Sequence, residues 1–433
     1  MSQGFPNLWF VVAIFGVAYV FIITEKIHRA KIALAGAIIY VLAGVLTQAE
    51  AIEAIDWNTI LLLTGMMILV GGLKTAGFFE YIAIKVVKKS KSDPKKLFIA
   101  FFALTAITSA FLSNVTTVIL FAPILIFSAE VLGVSSFPYL IGVIVAADIG
   151  GVATLIGDPP NIIVASAANL SFMDYIFNVT LPCILNFFVV LGFLLFVFRK
   201  SFKTKEKREI KLDERKVLKN KKLLWKALIP TILTLIFFMF QDLLGLHTAS
   251  VAIGGACLFL VLTKGDPDTF FHEVDWTTLF FLAGLLIMVG ALEKYNVIEL
   301  FYQMTAANIT SALLLALIFV WVVGTIAAFI DRVPVTAAFI PFVFHVIKGL
   351  SNIGVNLPQE GNFFWWALLL GVGHGGLGTS IGAMPNVVVM GLSKKTKKPI
   401  TFKNYIKYGM IAMVICFIID SLYIFIRYFV LKI

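Results

Sequence analysis

Two stretches, LIGDPPNII at 155–163 and SIGAMPNVV at 380–388, set glycine, proline and asparagine among Val, Ile, Leu and Ala at the same spacing. Proline removes a backbone donor and disturbs the turn before it, while glycine reaches backbone shapes that other residues avoid. Each stretch is therefore expected to interrupt a helix. Freed carbonyls, helix ends carrying partial charge, and the Asn161 or Asn386 amide are the groups with which such an interruption holds an ion. A proline kink that only aids packing is the alternative, and recurrence at corresponding positions counts against it.

Two polar tips precede these breaks. Ser113, Asn114, Thr116 and Thr117 offer hydroxyl and amide groups suited to a small cation or to hydrogen-bonding an oxyanion. Asp331 and Arg332 occupy the equivalent tip, with Thr336 one turn beyond. Ionisable groups at membrane depth are costly and usually functional, although a mutually neutralising Asp331–Arg332 pair would also stabilise a hairpin. Asp148, Asp158, Asp331 and His374 are the candidates for carrying protons. A histidine among glycines, as at 374, is also a common packing residue.

The elements that must position these groups follow from composition. The chain has 433 residues, 60% hydrophobic and 14% charged, which is far more apolar surface than a soluble domain hides. Crossings are expected near 8–24, 32–49, 58–76, 178–198, 224–244, 248–263, 276–293 and 408–430, with less regular membrane segments at 97–132, 137–170, 309–348 and 363–392. The first run has no basic residue before Lys26 and reads as a retained helix rather than a signal peptide. The net charge of +11 sits in short connections, a membrane-topology pattern and not a nucleic-acid footprint. Cys183, Cys257 and Cys416 lie singly in apolar runs and read as small core residues. No P-loop, HExxH or GxSxG is present, so neither an ATP-driven pump nor a hydrolase is supported, and no cofactor is implied.

The chain is internally duplicated. DWNTILLLTGMMILVGGLKTAG from Asp56 matches DWTTLFFLAGLLIMVGALEKYN from Asp275, and FLSNVTTVILFAPILI from Phe111 matches FIDRVPVTAAFIPFVF from Phe329. GGVATLIGDPPNIIV from Gly150 matches GGLGTSIGAMPNVVV from Gly375, which sets Thr154, Gly157 and Asn161 on Thr379, Gly382 and Asn386; SFMDYI then matches TFKNYI. Two repeats are read, 1–200 and 223–433, joined by a basic linker at 201–222. Lys74 and Lys85–Lys96 crowd one connection whose counterpart near 293–308 holds only Lys294, and the 168–178 connection lacks the lysines of its counterpart at 394–407. If basic connections stay cytoplasmic, corresponding loops lie on opposite faces. The fold class expected is an all-α membrane protein of two inverted repeats, each with five transmembrane helices, a re-entrant hairpin at 97–132 or 309–348, and a broken helix at the midplane. The linker would be a solvated cytoplasmic connector and the N-terminus would lie outside the cell membrane. Asp56 and Asp275 are expected to cap the helices that follow them, with Trp57 and Trp276 at the interface.

SNVTT, IGGVATLIGDPPNIIVASAA with SFMDYI, the DW segments and GTSIGAMPNVVVMGLSKKTKKPITF together resemble the ion transporter superfamily, nearest to its arsenite permease and sodium/proton antiporter (ArsB/NhaD) branch with the P protein-like permeases. The resemblance implies a homodimer with a fixed scaffold and a transport domain that moves elevator-fashion. It also implies one ion site, possible for Na⁺, from Ser113, Asn114 and the Gly157–Asn161 break. Its mirror image would use Thr379, Gly382 and Asn386 with the second tip, and substrate would lie between the two. The chain departs from the pattern: Arg332 stands where Asn114 stands in the first half, Leu377 replaces a polar residue, and Ala383–Met384 replace Asp-Pro. A guanidinium repels sodium and substitutes for it.

The function expected is secondary active transport of a small anion or an arsenite/antimonite-like solute, coupled to H⁺ or Na⁺. A sodium/proton antiporter is the alternative, and a dicarboxylate transporter or a channel follows. An enzyme is not expected, since no nucleophile–base or metal-ligand set occurs. Partners are a small inorganic or organic ion, the bilayer and a second copy, with no nucleic acid.

Overall fold

The computed structural model describes residues 8–24, 26–203, 217–218, 220–264, 266–355, 357 and 361–432. Most of the expected linker, 204–216, lies outside the described residues, as do residues 1–7. Among the described residues every regular element is helical.

The first half runs α1 (Leu8–Thr24), α2 (Arg29–Leu42), α3 (Gln48–Glu53), α4 (Trp57–Thr75), α5 (Phe78–Lys89), α6 (Pro94–Ser109), α7 (Asn114–Val131), α8 (Phe137–Val152), α9 (Pro159–Ala167), α10 (Phe172–Tyr175) and α11 (Leu181–Val197), the last two joined by a π turn. The second half repeats the order with α12 (Lys221–Leu244), α13 (Thr248–Thr263), α14 (Asp268–Phe271), α15 (Trp276–Lys294), α16 (Val297–Thr305), α17 (Ala312–Ile318), α18 (Gly324–Phe329), α19 (Arg332–Asn352), α20 (Phe363–Gly375), α21 (Met384–Ser393) and α22 (Phe402–Ile424). Eight of these helical stretches are long and apolar enough to cross a membrane, among them α4, α15 and α19. Their outward faces carry exposed Phe, Leu and Ile, as on α12 with Ile229, Ile236 and Phe240, which is the surface that hydrocarbon accommodates.

Local chemistry explains where the helices start and stop. Asp56 accepts from the Asn58 and Thr59 amides, and Asp275 from Thr278, so both DW pairs open their helices with an aspartate cap, as expected. Trp57 and Trp276 stand exposed beside those caps. α2 ends at Leu42, short of the expected 32–49 crossing, because Gly44 takes φ +72° and closes the helix with a left-handed turn. The interruptions fall where glycine and proline predict them: α8 stops at Val152 and α9 begins at Pro159, and α20 stops at Gly375 with α21 beginning at Met384. Cys183 and Cys416 are buried, but Cys257 is exposed on α13, correcting its reading as a core residue; α13 turns that side away from its partners.

The halves interlock. α4 packs on α13 and α15 on α2, so each DW helix leans on a helix of the other half, while α9 packs on α19 and α21 on α7. Lys74, ending α4, pairs with Glu273 just before α15 at 2.5 Å, and Lys294, ending α15, pairs with Glu50 on α3 at 2.7 Å. The start of each DW helix therefore lies by the end of the other, and the two run in opposite directions. Hydrogen bonding from Lys294, with help from Thr47, holds the exposed Glu50 carboxyl down to about 2. Glycine sets the closest helix approaches. A Cβ at Gly150 would overlap the Ala106 carbonyl of α6, and one at Gly375 would overlap the Gly324 carbonyl of α18.

Candidate functional site

Each hairpin tip is pinned to the interruption that follows it. Thr154 donates through its hydroxyl to the Ala110 carbonyl at the end of α6, and Thr379 does the same to the Ala328 carbonyl near the end of α18. Asn161 Nδ2 donates to the Gly151 and Thr154 carbonyls at 2.7 and 2.8 Å, and Asn386 Nδ2 to the Gly376 and Thr379 carbonyls at 2.9 Å each. The asparagine amides thus occupy carbonyls that the breaks release. Gly157 and Gly382 allow the loops to fold back, since a Cβ at either would press on the Gly151 or Gly376 carbonyl. Asn161→Leu and Asn386→Leu each remove two buried hydrogen bonds, although the Thr154 and Thr379 carbonyls keep the bonds they accept from the Gly157 and Gly382 amides at 3.3 Å; a loss of stability of about 1–3 kcal/mol is expected, with similar drops in melting temperature measured for the two in detergent.

At the first tip Ser113 caps α7 by accepting from the Thr116 amide and donates to the Thr116 hydroxyl at 3.1 Å. Thr117 is buried with no partner for its hydroxyl among the described residues. Asn114 is assigned by its neighbours: its amide nitrogen donates to Ser109 Oγ (2.5 Å) and the Ala147 carbonyl (3.2 Å), and its oxygen accepts from Arg332 (2.7 Å). Gly151 makes room for that side chain.

The two tips meet at Arg332, which is 3% exposed. Its Nε lies 2.7 Å from Asp158 Oδ2, one terminal nitrogen donates to Asp148 Oδ1 at 3.1 Å, and the other donates to the Gly373 carbonyl at 3.3 Å. Thr336 donates to the Arg332 carbonyl at 2.8 Å. Asp331 does not neutralise its neighbour; it pairs with Arg29 of α2 at 2.6 Å. One buried guanidinium therefore faces two buried carboxylates, and Asp148 Oδ2 has no hydrogen-bond partner among the described residues. The cluster carries one formal negative charge too many, and fixed charge of that kind in a dry interior calls for a proton or a cation.

His374 follows Gly373 and is fully buried. Its Nδ1 lies 2.7 Å from Asp420 of α22, whose other oxygen accepts from Asn186 of α11 at 2.8 Å, and its Nε2 faces Cys183 Sγ at 3.9 Å. Asp420, Asn186 and Arg29 were not anticipated from the sequence. Asp420 was findable as a lone carboxylate in the apolar run CFIIDSLYIF, whereas Arg29 sits in an ordinary charged connection.

A vestibule of ≈ 740 Å³, open mouth included, reaches Asp158, while Arg332 and Asp148 lie behind it, outside the lining. Leu63, Met66 and Val70 of α4 form one wall, Ser113 and Thr116 of the first tip with Gly157 and Asp158 form the other, and Lys74 and Glu273 stand at its rim. Ser113, Thr116, Gly157 and Asp158 are thereby brought to one cavity. Asp148, Asn114, Asn161, Thr379 and Asn386 lie buried and outside its lining.

A family profile described as a citrate transporter matches residues 19–371. The chain belongs to this family. It is 35% identical to an uncharacterized transporter of Mycobacterium bovis, over 97% of this chain and 98% of that one. It is 31% identical to an uncharacterized transporter of Synechocystis, with 98% of each covered. The P protein of Sus scrofa is 30% identical over 95% of this chain, which spans 58% of that protein. Among solved structures, the Alcanivorax borkumensis YdaH transporter superposes with a TM-score of 0.59 at 13% identity, covering 89% of this chain and 87% of that one, which is a likeness of fold. Membership in the ion transporter superfamily, expected from the tip and break motifs, is shown, and the protein is a multi-span membrane transporter of the citrate transporter family.

Proposed function

We propose that this transporter moves a small anion or an arsenite/antimonite-like solute across the cell membrane in exchange for, or together with, H⁺ or Na⁺. The observation that carries this reading is the Asp148–Arg332–Asp158 cluster, of which Asp158 lines the vestibule: two carboxylates around one guanidinium leave a deficit of one positive charge, which a coupling ion fills. The family's description as citrate transporters favours a carboxylate among the anions. The opposed directions of α4 and α15 and the meeting of both tips at one arginine support inverted repeats, with the hairpins and broken helices moving as a body against α1–α4 and α12–α15 in an elevator-type cycle. The vestibule rim at Lys74 adjoins the lysine-rich connection of α5, so by the positive-inside rule the chain is held open to the cytoplasm. A homodimer suits such a fixed scaffold.

Reconstituted uptake of citrate, dicarboxylates, arsenite, antimonite, phosphate and sulfate under imposed pH and sodium gradients tests the reading. Saturable uptake of one of these, accelerated by one gradient, is expected. Sodium-dependent pH changes with no other solute would favour the sodium/proton antiporter, which the surplus carboxylate also suits. Conductive, unsaturable flux would overturn coupled transport in favour of a channel.

A further inference from the structure

The two tips are held differently against the first helices of the two halves. At the first tip Ser113 and Thr116 face the vestibule, whose far wall on α4 is apolar. At the second tip the space is bridged. Arg29, opening α2, rests its guanidinium 4.8 Å from the ring centroid of Phe281 on α15, places Nη1 2.6 Å from Asp331 Oδ2, and sets Nη2 3.7 Å from Met384 Sδ at the start of α21. One turn along α19, the Pro334 carbonyl accepts from the Tyr19 hydroxyl of α1 at 2.7 Å. Arg29 is thus seated on α2 and α15 and grips both the second tip and the second break. It also occupies Asp331, which leaves Arg332 to Asp148 and Asp158. By the internal repeat α13 corresponds to α2, and α13 opens with Thr248 after His247, away from the first tip and lining another cavity.

We infer that Arg29 is a positioning residue: through Asp331 it docks the second hairpin on the α1–α2–α15 layer and so holds the vestibule at the first tip open. This rests on the two layers moving relative to each other, as in the proposed function. A mobile body cannot keep one tip bridged and the other facing a cavity in both end states, so the 2.6 Å pair marks one of them.

The test measures exposure of the α4 wall. In a Cys257→Ser background, Met67→Cys, on the α4 wall of the vestibule, is labelled with a membrane-impermeant maleimide from either side of oriented vesicles. Rapid labelling from one side is expected. Arg29→Gln or Asp331→Asn should slow it by about tenfold, the value of one charge-assisted hydrogen bond, and should change KM for the transported solute more than kcat. Arg29→Lys and the exchange of Arg29→Asp with Asp331→Arg should recover much of the rate. Unchanged labelling in Arg29→Gln, with only a lower melting temperature, would overturn the inference and leave a structural ion pair. The labelling needs no substrate. If no solute moves while labelling still tracks the pair, the proposed function fails and the positioning role stands.

Discussion

Arg332→Asn is expected to abolish coupled transport and to lower stability by about 3–5 kcal/mol, the usual consequence of removing one member of a buried ion pair. Asp148 and Asp158 would face each other without the guanidinium that now lies 3.1 and 2.7 Å from them. An asparagine reaches neither together. Arg332→Lys keeps the charge yet loses the planar fork that serves Asp148, Asp158, Asn114 and the Gly373 carbonyl at once, so an intermediate loss is expected. Adding Asp158→Asn to Arg332→Asn removes one unpaired charge and should restore much of the melting temperature without restoring transport. Thermal unfolding in detergent, run beside proteoliposome uptake, separates these outcomes. An Arg332→Asn protein with unchanged melting and unchanged ion dependence would show that the cluster is not the coupling centre.

Asp420→Leu carries the second largest expectation. The carboxylate has no exposure and accepts from both His374 Nδ1 and Asn186 Nδ2. Leucine leaves two buried donors without acceptors, at about 1–3 kcal/mol each, and removes the polar link that ties α20 to α11 and α22 at this point. Because His374 follows the residue whose carbonyl receives Arg332, transport is expected to fall further than a purely structural loss would carry it. Asp420→Asn, which keeps one acceptor, should fall between. Uptake normalised to folded protein, measured for Asp420→Leu and Asp420→Asn, checks this; equal normalised uptake in both variants and the parent chain would confine Asp420 to packing.

Much of this was legible in the residues because the signals were local. Glycine and proline inside apolar runs mark both breaks, Asp56 and Asp275 mark two helix starts, and the aligned repeats pair Thr154 with Thr379 and Asn161 with Asn386, which make matching hydrogen bonds. The side-chain partners were not legible. Asp331 was expected to matter at its own tip, but its partner Arg29 lies 302 residues away and is brought there by the packing of α2 on α15. Next to Asp331 in the chain, Arg332 is expected to pair with it; it takes Asp158 together with Asp148 instead, which only the meeting of the two tips decides. The amides of Asn161 and Asn386 are expected at an ion; their nitrogens close the loops, and Asn386 Oδ1 has no hydrogen-bond partner among the described residues. Sequence gives the donor, while the competing acceptors are set by backbone geometry.

The span of the central cluster along the chain also bears on biosynthesis. Asp148 precedes Arg332 by 184 residues, which at usual elongation rates is about 10–40 s of translation. Throughout that interval Asp148 and Asp158 exist without the guanidinium that faces them; α4 lacks α13 until residue 263 is made, and α7 waits longer still for α21. The first half must wait, wet or shielded by the insertion machinery, for the second to arrive. Assembly of this protein is therefore a closing of two half-finished faces late in synthesis, not the stepwise burial of one helix after another.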